Sequence, residues 1–326
     1  MNERKIRVGV IGAGDFGRNH VRVFHELAGA ELVGIHDADP ERARQIAAEF
    51  GTQAFSELGE LAEQIDAASV AVPTALHARI STQLFERGID VLVEKPMAAS
   101  RAEADGLIAA AKNAGRILQV GHLERFNPAV AAVRKIVTRP LFFEVHRLGI
   151  FSPRSLDVDV VFDVMIHDLD ILLWLVDSPI RDIHAVGIPV LTERVDIAHA
   201  RIEFESGAVA NLTASRVSTE RVRKLRFFQA REYISVDYTR QDVTRIRVPG
   251  EGSEPAIDFE KLPVQPEEPL KAELRAFLSS VRERTTPLVD GEAGRRALDL
   301  AERVMEGILE HARRVKPELT ATPHTR

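Results

Sequence analysis

Gly12-Ala13-Gly14-Asp15-Phe16-Gly17 follows directly on the apolar run Ile6–Ile11. In that setting the three glycines have separate tasks. Gly12 permits a tight turn, Gly14 lets backbone N–H groups approach a pyrophosphate, and Gly17 lets a helix pack closely on the strand. The helix that opens there offers unsatisfied N–H groups and a positive dipole end to an anion. Asp37 closes the next apolar run, about twenty residues beyond Gly17, where a carboxylate accepts from an adenosine ribose 2′-hydroxyl. The same carboxylate repels a 2′-phosphate, and Ala38-Asp39-Pro40 supplies no arginine directly after it. The pattern therefore favours NAD over NADP. Glycines that serve packing alone are the alternative reading.

Three further sets carry chemistry. Val93-Glu94-Lys95-Pro96 ends another apolar run. Ligands of an open parallel sheet bind beyond the carboxyl ends of its strands, which puts Lys95 near a nicotinamide unless it is an ordinary surface lysine. In Asp163-Val164-Met165-Ile166-His167-Asp168-Leu169-Asp170, helical spacing aligns Asp163, His167 and Asp170 on one face. An acid one turn before a histidine fixes its tautomer and raises its basicity, as a general base near neutral pH requires. An acid-rich helix start favoured by the dipole is one alternative. A metal site is another, disfavoured because only one histidine is present, and none is expected. Gly121-His122-Leu123-Glu124-Arg125-Phe126-Asn127-Pro128 offers Arg125 and Asn127 to a substrate, or a hinge in which Asn127 caps the helix opened by Pro128.

Position is supplied by the elements around these residues. Up to residue 120, short continuous apolar runs at 6–11, 32–36, 68–72, 91–93 and 117–120, with a weaker one at 53–55, alternate with helical patterns. Continuous rather than alternating apolar strands mean both sheet faces are covered, so this is α/β with a doubly wound parallel sheet. Beyond Gly121 come a helix over 127–137, a strand over 141–147 and a longer apolar helix over 163–176. From 183 to 248 strand-like runs follow one another with turn signals, as in a large, mostly antiparallel sheet with helices on one face. The proline-rich stretch 249–269 reads as a loop, two helices follow over 270–284 and 291–314, and the tail from Pro317 is expected to fray. The domains are expected to be 1–121 and 122–326.

Composition narrows the function classes. The chain has 326 residues, 45% of them hydrophobic, enough for two cores without staples. There are no cysteines, which excludes disulfides, thiolate metal sites and a cysteine nucleophile. A net charge of −6 without a basic tract disfavours nucleic acid. No apolar run is long enough to span a bilayer and the first residues carry no signal-peptide pattern, so a cytoplasmic protein without membrane attachment is expected.

Together, the glycine fingerprint, Pro73-Thr74-Ala75-Leu76-His77, Glu94-Lys95-Pro96, Gly121–Ala129 and the Asp163…His167 pair resemble the glucose–fructose oxidoreductase / inositol dehydrogenase (Gfo/Idh/MocA) family over nearly the whole chain. The resemblance implies a Rossmann domain followed by an α/β domain whose open sheet builds homodimers or homotetramers. It implies a sugar dehydrogenase with Lys95, Asp163 and His167 as catalytic residues, and cofactor contacts from Gly12, Gly14, Asp15, Phe16, Gly17, Asp37, Pro73, Thr74, His77, Glu94 and Lys95. It leaves open whether Lys95 or His167 takes the proton first. The family's usual glycine between the aspartate and the histidine is Met165 here, so local packing or the substrate pocket is expected to differ.

A narrower resemblance runs through 163–170, Ala210–Ser218 and Phe227–Tyr238 to a bacterial branch that oxidises the 3-hydroxyl of UDP-N-acetylglucosamine, ahead of amino-sugar formation for lipid A. A nucleotide sugar needs arginines for its diphosphate, and Arg125, Arg147, Arg154 and Arg216 are candidates, with surface arginines as the alternative for each. Asn127, His146, Asp170 and Asn211 are candidates for the remaining substrate contacts. A dehydrogenase for inositol or a free sugar, a non-catalytic nicotinamide-binding regulator, and a redox-neutral hydrolase with bound NAD are the competing readings.

Overall fold

A computed structural model describes residues 4–152, 158–248 and 257–315. Arg154 and the tail from Pro317 lie outside them. Contacts group the chain into two units, 1–126 with 267–296, and 127–266 with 297–326.

The first unit is built on a parallel sheet of six strands, β1 (Ile6–Ile11), β2 (Ala30–His36), β3 (Gln53–Phe55), β4 (Ala67–Val70), β5 (Asp90–Glu94) and β6 (Leu118–Gly121), in the order β3-β2-β1-β4-β5-β6. This is the doubly wound order whose reversal between β1 and β4 opens a ligand crevice at the carboxyl ends. The connecting helices are α1 (Asp15–Glu26), α2 (Pro40–Phe50), α3 (Leu58–Ala62), α4 (His77–Glu86) and α5 (Arg101–Ala114). Local chemistry sets their ends. The Asp39 side chain accepts from the N–H groups of Glu41 and Arg42, with Pro40 at the first helical position. Ser100 accepts from Glu103 N–H to start α5. β1, β4, β5 and β6 are almost wholly buried because both sheet faces are covered there, as continuous apolar runs require.

One late helix belongs here. In α8 (Pro269–Glu283), Leu270, Leu274, Phe277, Leu278 and Val281 join Val8, Val10, Val21 and Phe24 in one core cluster. The expected division after residue 121 grouped this helix with the second domain. Its apolar spacing shows that one face is buried but not which core buries it.

The second unit holds an eight-stranded sheet: β7 (Pro140–Leu148), β8 (Ile180–Ile188), β9 (Ile197–Phe204), β10 (Val209–Ser215), β11 (Val222–Gln229), β12 (Glu232–Asp237), β13 (Asp242–Arg247) and β14 (Asp258–Lys261). Their order is β14-β13-β12-β11-β7-β10-β9-β8. All neighbours are antiparallel except β7 and β10, because β7 inserts between strands that follow it much later in the chain. β14 lies inside the stretch read as a loop. It is a short edge strand, and an edge tolerates the flanking prolines that a central strand does not.

Period-two alternation gives the sheet two unlike faces. Phe143, Val145, Ala198, Ala200, Ile202, Ala210, Leu212, Leu225, Phe227, Ile234, Val236 and Val243 point into the core. α6 (Pro128–Ile136), α7 (Ile166–Leu175) and the later turns of α9 (Gly291–Val315) supply the other side of that core. α7 is buried on nearly all sides, at Ile166, Asp168, Leu169, Asp170, Ile171, Leu172 and Leu175. A π-helical turn over Val161–Met165 leads into it.

Candidate functional site

In the first unit the predicted cofactor residues collect at the carboxyl edge of the parallel sheet, because each follows the end of a strand. Gly12 comes after β1, Asp37 after β2, Pro73 and Thr74 after β4, and Glu94 and Lys95 at the end of β5. Gly12 has φ +90°, and a Cβ there would lie 2.5 Å from the Ala71 carbonyl oxygen. A Cβ on Gly17 would lie 1.9 Å from the Gly12 carbonyl oxygen, so the helix cannot pack this closely with any other residue. Gly14 is the N-cap of α1, and a Cβ placed on it would face open space. Open space before the N-terminus of a helix fits a dinucleotide's pyrophosphate. Asp15 opens the helix and Phe16 is partly exposed beside it.

Asp37 has a second task that its spacing does not reveal. Its Oδ2 accepts from Ala13 N–H at 2.6 Å and its Oδ1 from Asp39 N–H at 2.8 Å. The carboxylate therefore ties the glycine turn to the end of β2. A carboxylate has about four acceptor positions, which leaves room for a ribose hydroxyl. Arg42 Nη2 stands 3.3 Å from Asp37 Oδ1, so the first arginine of α2 is occupied by the acid.

Two buried histidines hold the residues on either side of Lys95. His20 on α1 places its Nε2 3.2 Å from Glu94 Oε1, while its Nδ1 pairs with Ser69 Oγ at 2.7 Å. Glu94 Oε2 also accepts from Lys95 N–H at 3.3 Å. His77 is wedged between two carbonyl oxygens, Pro96 at 2.8 Å from Nδ1 and Val72 at 2.8 Å from Nε2. Carbonyls only accept, so both bonds together require the imidazolium. Burial lowers the pKa of His77, against the upward pull of the two carbonyls and of Glu94, and burial prevails. Neutral His77 keeps one of the two bonds. Glu94 and His77, read from sequence as cofactor contacts, are thus engaged in holding the Lys95 segment. His20 and Ser69 have no sequence signal beyond being polar in apolar surroundings.

In the second unit Asp163 lies in the π-helical turn and His167 in the first turn of α7, both partly buried. Asp163 N–H donates to the Asp159 carbonyl at 3.1 Å. Asp170, one turn beyond His167, is buried. A π turn inside a helix is rare and recurs at functional sites.

The proposed substrate contacts divide. Arg125 is buried in a 3-10 turn over Leu123–Phe126. Asn127 caps α6, accepting from Ala129 N–H at 3.1 Å and donating to the Tyr238 carbonyl at 3.0 Å. Arg147 is buried and forks onto Asp168, with Nε to Oδ2 at 2.7 Å and Nη2 to Oδ1 at 2.9 Å, beneath the Tyr238 ring. Arg216 is buried and donates through Nε to Asp196 Oδ1 at 2.8 Å. Arg147 and Arg216 each pair with a buried acid of the fold, and all three arginines are buried. Asn211 alternates with the core-facing Ala210 and Leu212, so it lies on the sheet face away from α7, and His146 lies there too. Distance along the chain could not show this, because which face a strand residue takes depends on which strands flank it.

With this geometry in place, comparison with known proteins decides the family. The model for the oxidoreductase family with an NAD-binding Rossmann fold matches residues 6–122, and the Gfo/Idh/MocA C-terminal domain model matches 141–234. The chain belongs to the Gfo/Idh/MocA family. It is 37% identical over 300 residues to a UDP-N-acetylglucosamine 3-dehydrogenase of Acidithiobacillus ferrooxidans, covering 91% of this chain and 95% of that one. The solved structure of that enzyme superposes with a TM-score of 0.88 at 35% identity, over 94% of this chain and 98% of the other. A scyllo-inositol 2-dehydrogenase (NAD(+)) of Bacillus subtilis is 32% identical over 66% of this chain and 69% of its own. A levoglucosan dehydrogenase solved with NADH and levoglucosan shares the fold, with a TM-score of 0.84 at 19% identity, 94% of this chain and 98% of the other being covered. As a Gfo/Idh/MocA member the chain is an NAD-binding oxidoreductase. No described helix is long and apolar enough to cross a membrane.

Proposed function

We propose that this chain oxidises the 3-hydroxyl of UDP-N-acetylglucosamine to the 3-keto sugar with NAD. The observation that supports this is the 37% identity to a UDP-N-acetylglucosamine 3-dehydrogenase across 91% of the chain, which spans both units, whereas a scyllo-inositol enzyme matches at 32% over 66% and a myo-inositol enzyme at 26% over 96%. NAD, when bound, accepts the hydride that leaves the carbinol carbon. Gly12, Gly14 and Gly17 provide its pyrophosphate turn and Asp37 its ribose acceptor. His167 takes the proton of the sugar hydroxyl. Asp163 orients the imidazole and stabilises its cationic form. Lys95 donates to the same oxygen and stabilises charge as the hydroxyl becomes a carbonyl. A cytoplasmic location and self-association through the outer face of the eight-stranded sheet complete the proposal.

Absorbance of NADH tests it. Oxidation of a secondary alcohol by NAD is uphill near neutral pH, so the ketone is removed with glutamate and a 3-keto-sugar aminotransferase. NADH forms with UDP-N-acetylglucosamine and not with free N-acetylglucosamine. Equal rates with both sugars, or none with either while the ketone is being removed, would overturn the substrate. His167→Ala abolishes most turnover, by about 100-fold or more on the scale of lost general-base catalysis, while NAD still binds. Near-normal turnover would sink the base assignment.

A further inference from the structure

Buried Arg216 and Asp196, with the partly buried Asp159, clamp the segment that leads into Asp163. The Asp196 carboxylate is inaccessible to solvent, and its Oδ2 accepts from the N–H groups of Val190 at 2.8 Å, Leu191 at 2.7 Å and Thr192 at 2.8 Å. Its Oδ1 accepts from Thr192 Oγ1 at 2.8 Å and from Arg216 Nε at 2.8 Å. Burial favours the neutral acid, but these donors outweigh it and hold the carboxyl well below the ordinary range. Asp196 is therefore a permanent anion around which residues 190–195 fold.

The guanidinium carries the connection onward. Arg216 Nη1 donates to the Val158 carbonyl at 2.7 Å. Val195 N–H donates to Asp159 Oδ1 at 2.9 Å, and Val160 N–H returns to the Val195 carbonyl at 2.9 Å. The Asp159 carbonyl in turn accepts from Phe162 N–H and Asp163 N–H, each at 3.1 Å. An acid just before a helix commonly caps its own first turn through the side chain. Here Asp159 gives its side chain to the neighbouring loop and its carbonyl to the turn that bears Asp163. The strand end at Arg216 and the loop closed by Asp196 thus hold the segment from which the π turn starts.

We propose that Arg216 and Asp159 are positioning residues for Asp163, acting through the backbone of 158–160 and having no contact with substrate or cofactor. The proposal rests on the reading of Asp163 as the partner of the base His167. It assigns Arg216 a task in turnover that differs from binding a diphosphate.

A cycle of variants tests it with NAD and UDP-N-acetylglucosamine. Arg216→Lys keeps the charge and loses the fork. Asp159→Ala removes the acceptor for Val195 N–H, whereas Asp159→Asn keeps an oxygen there. Arg216→Lys and Asp159→Ala each lower kcat by about 10- to 100-fold, the cost of misplacing a group near reacting atoms, with KM for the sugar nucleotide within about twofold. Asp159→Asn restores most of the turnover. In an Asp163→Asn background neither change costs anything further, because the residue through which they act is already disabled. If Arg216→Lys does not fold, the Asp159 pair decides alone. The proposal is overturned if kcat is unchanged in both variants, if the loss recurs undiminished in the Asp163→Asn background, or if KM alone rises. Asp163→Asn by itself reports on the underlying reading, since wild-type turnover in that variant removes Asp163 from the site whatever the clamp does.

Discussion

Asp37 is proposed to serve two ends with one carboxylate. It ties Ala13 N–H in the glycine turn and keeps acceptor capacity for a ribose. Its neighbour Arg42 is already bound to it, so an incoming 2′-phosphate meets an anion first. Asp37→Ala therefore weakens NAD by about 10- to 100-fold, the worth of a hydrogen bond to a charged group, and weakens NADP less. Titration of both nucleotides by fluorescence checks this, and equal losses would leave Asp37 with the turn alone. The arginines teach the opposite lesson. Arg147 and Arg216 stood out as phosphate forks, but a fork fits a carboxylate equally well, and the fold provides Asp168 and Asp196 for them. Residue type announced the geometry of the partner and left its identity to the packing.

At the scale of elements, caps and turns account for residues that chemistry alone would assign elsewhere. Asn127 precedes Pro128, and this pair starts α6. Asn127→Ala loses the cap and the bond to the Tyr238 carbonyl, about 1 to 3 kcal/mol together. The expected result is a lower Tm with KM for the sugar nucleotide unchanged. A raised KM at unchanged Tm would return Asn127 to the substrate. The proposed catalytic pair is also an element-scale device. Asp163 sits in a π turn and His167 in the largely buried α-helix after it. Sequence spacing of four residues predicts a shared helical face. It does not reveal the change of helix type between them, since an i→i+5 turn is a response to packing and has no side-chain pattern of its own.

For the whole molecule, the outer face of the eight-stranded sheet carries a row of large apolar side chains. Pairing register aligns Phe142, Phe228, Tyr233, Ile246 and Phe259 across five strands. Phe142, Phe228 and Tyr233 are in ring contact, yet Phe228 is 37% and Phe259 67% exposed. This apolar row is the surface through which the proposed self-association would run. In a symmetric dimer the same patch meets itself. Phe228→Asp accordingly shifts sedimentation from oligomer to monomer without loss of secondary structure by circular dichroism. Wild-type protein that sediments as a monomer at micromolar concentration would sink the self-association reading.

The parallel sheet was legible because its signals are local. Continuous apolar runs, a glycine turn and an acid at a fixed interval each follow from backbone geometry within a few residues, and β1 to β6 fall where those runs predict. Lys95, Asp163 and His167, the proposed catalytic residues, lie in short local motifs, and the family follows from the chain's likeness to its relatives along both units. What the tertiary structure decided concerns partners far apart in sequence. It set β7 between β10 and β11, gave α8 to the first core, put Asn211 on the far face of its sheet, and paired Arg147 and Arg216 with acids. Strand neighbours, helix docking and buried ion pairs are all chosen by long-range packing. An apolar stripe or a lone arginine states only that it needs a partner.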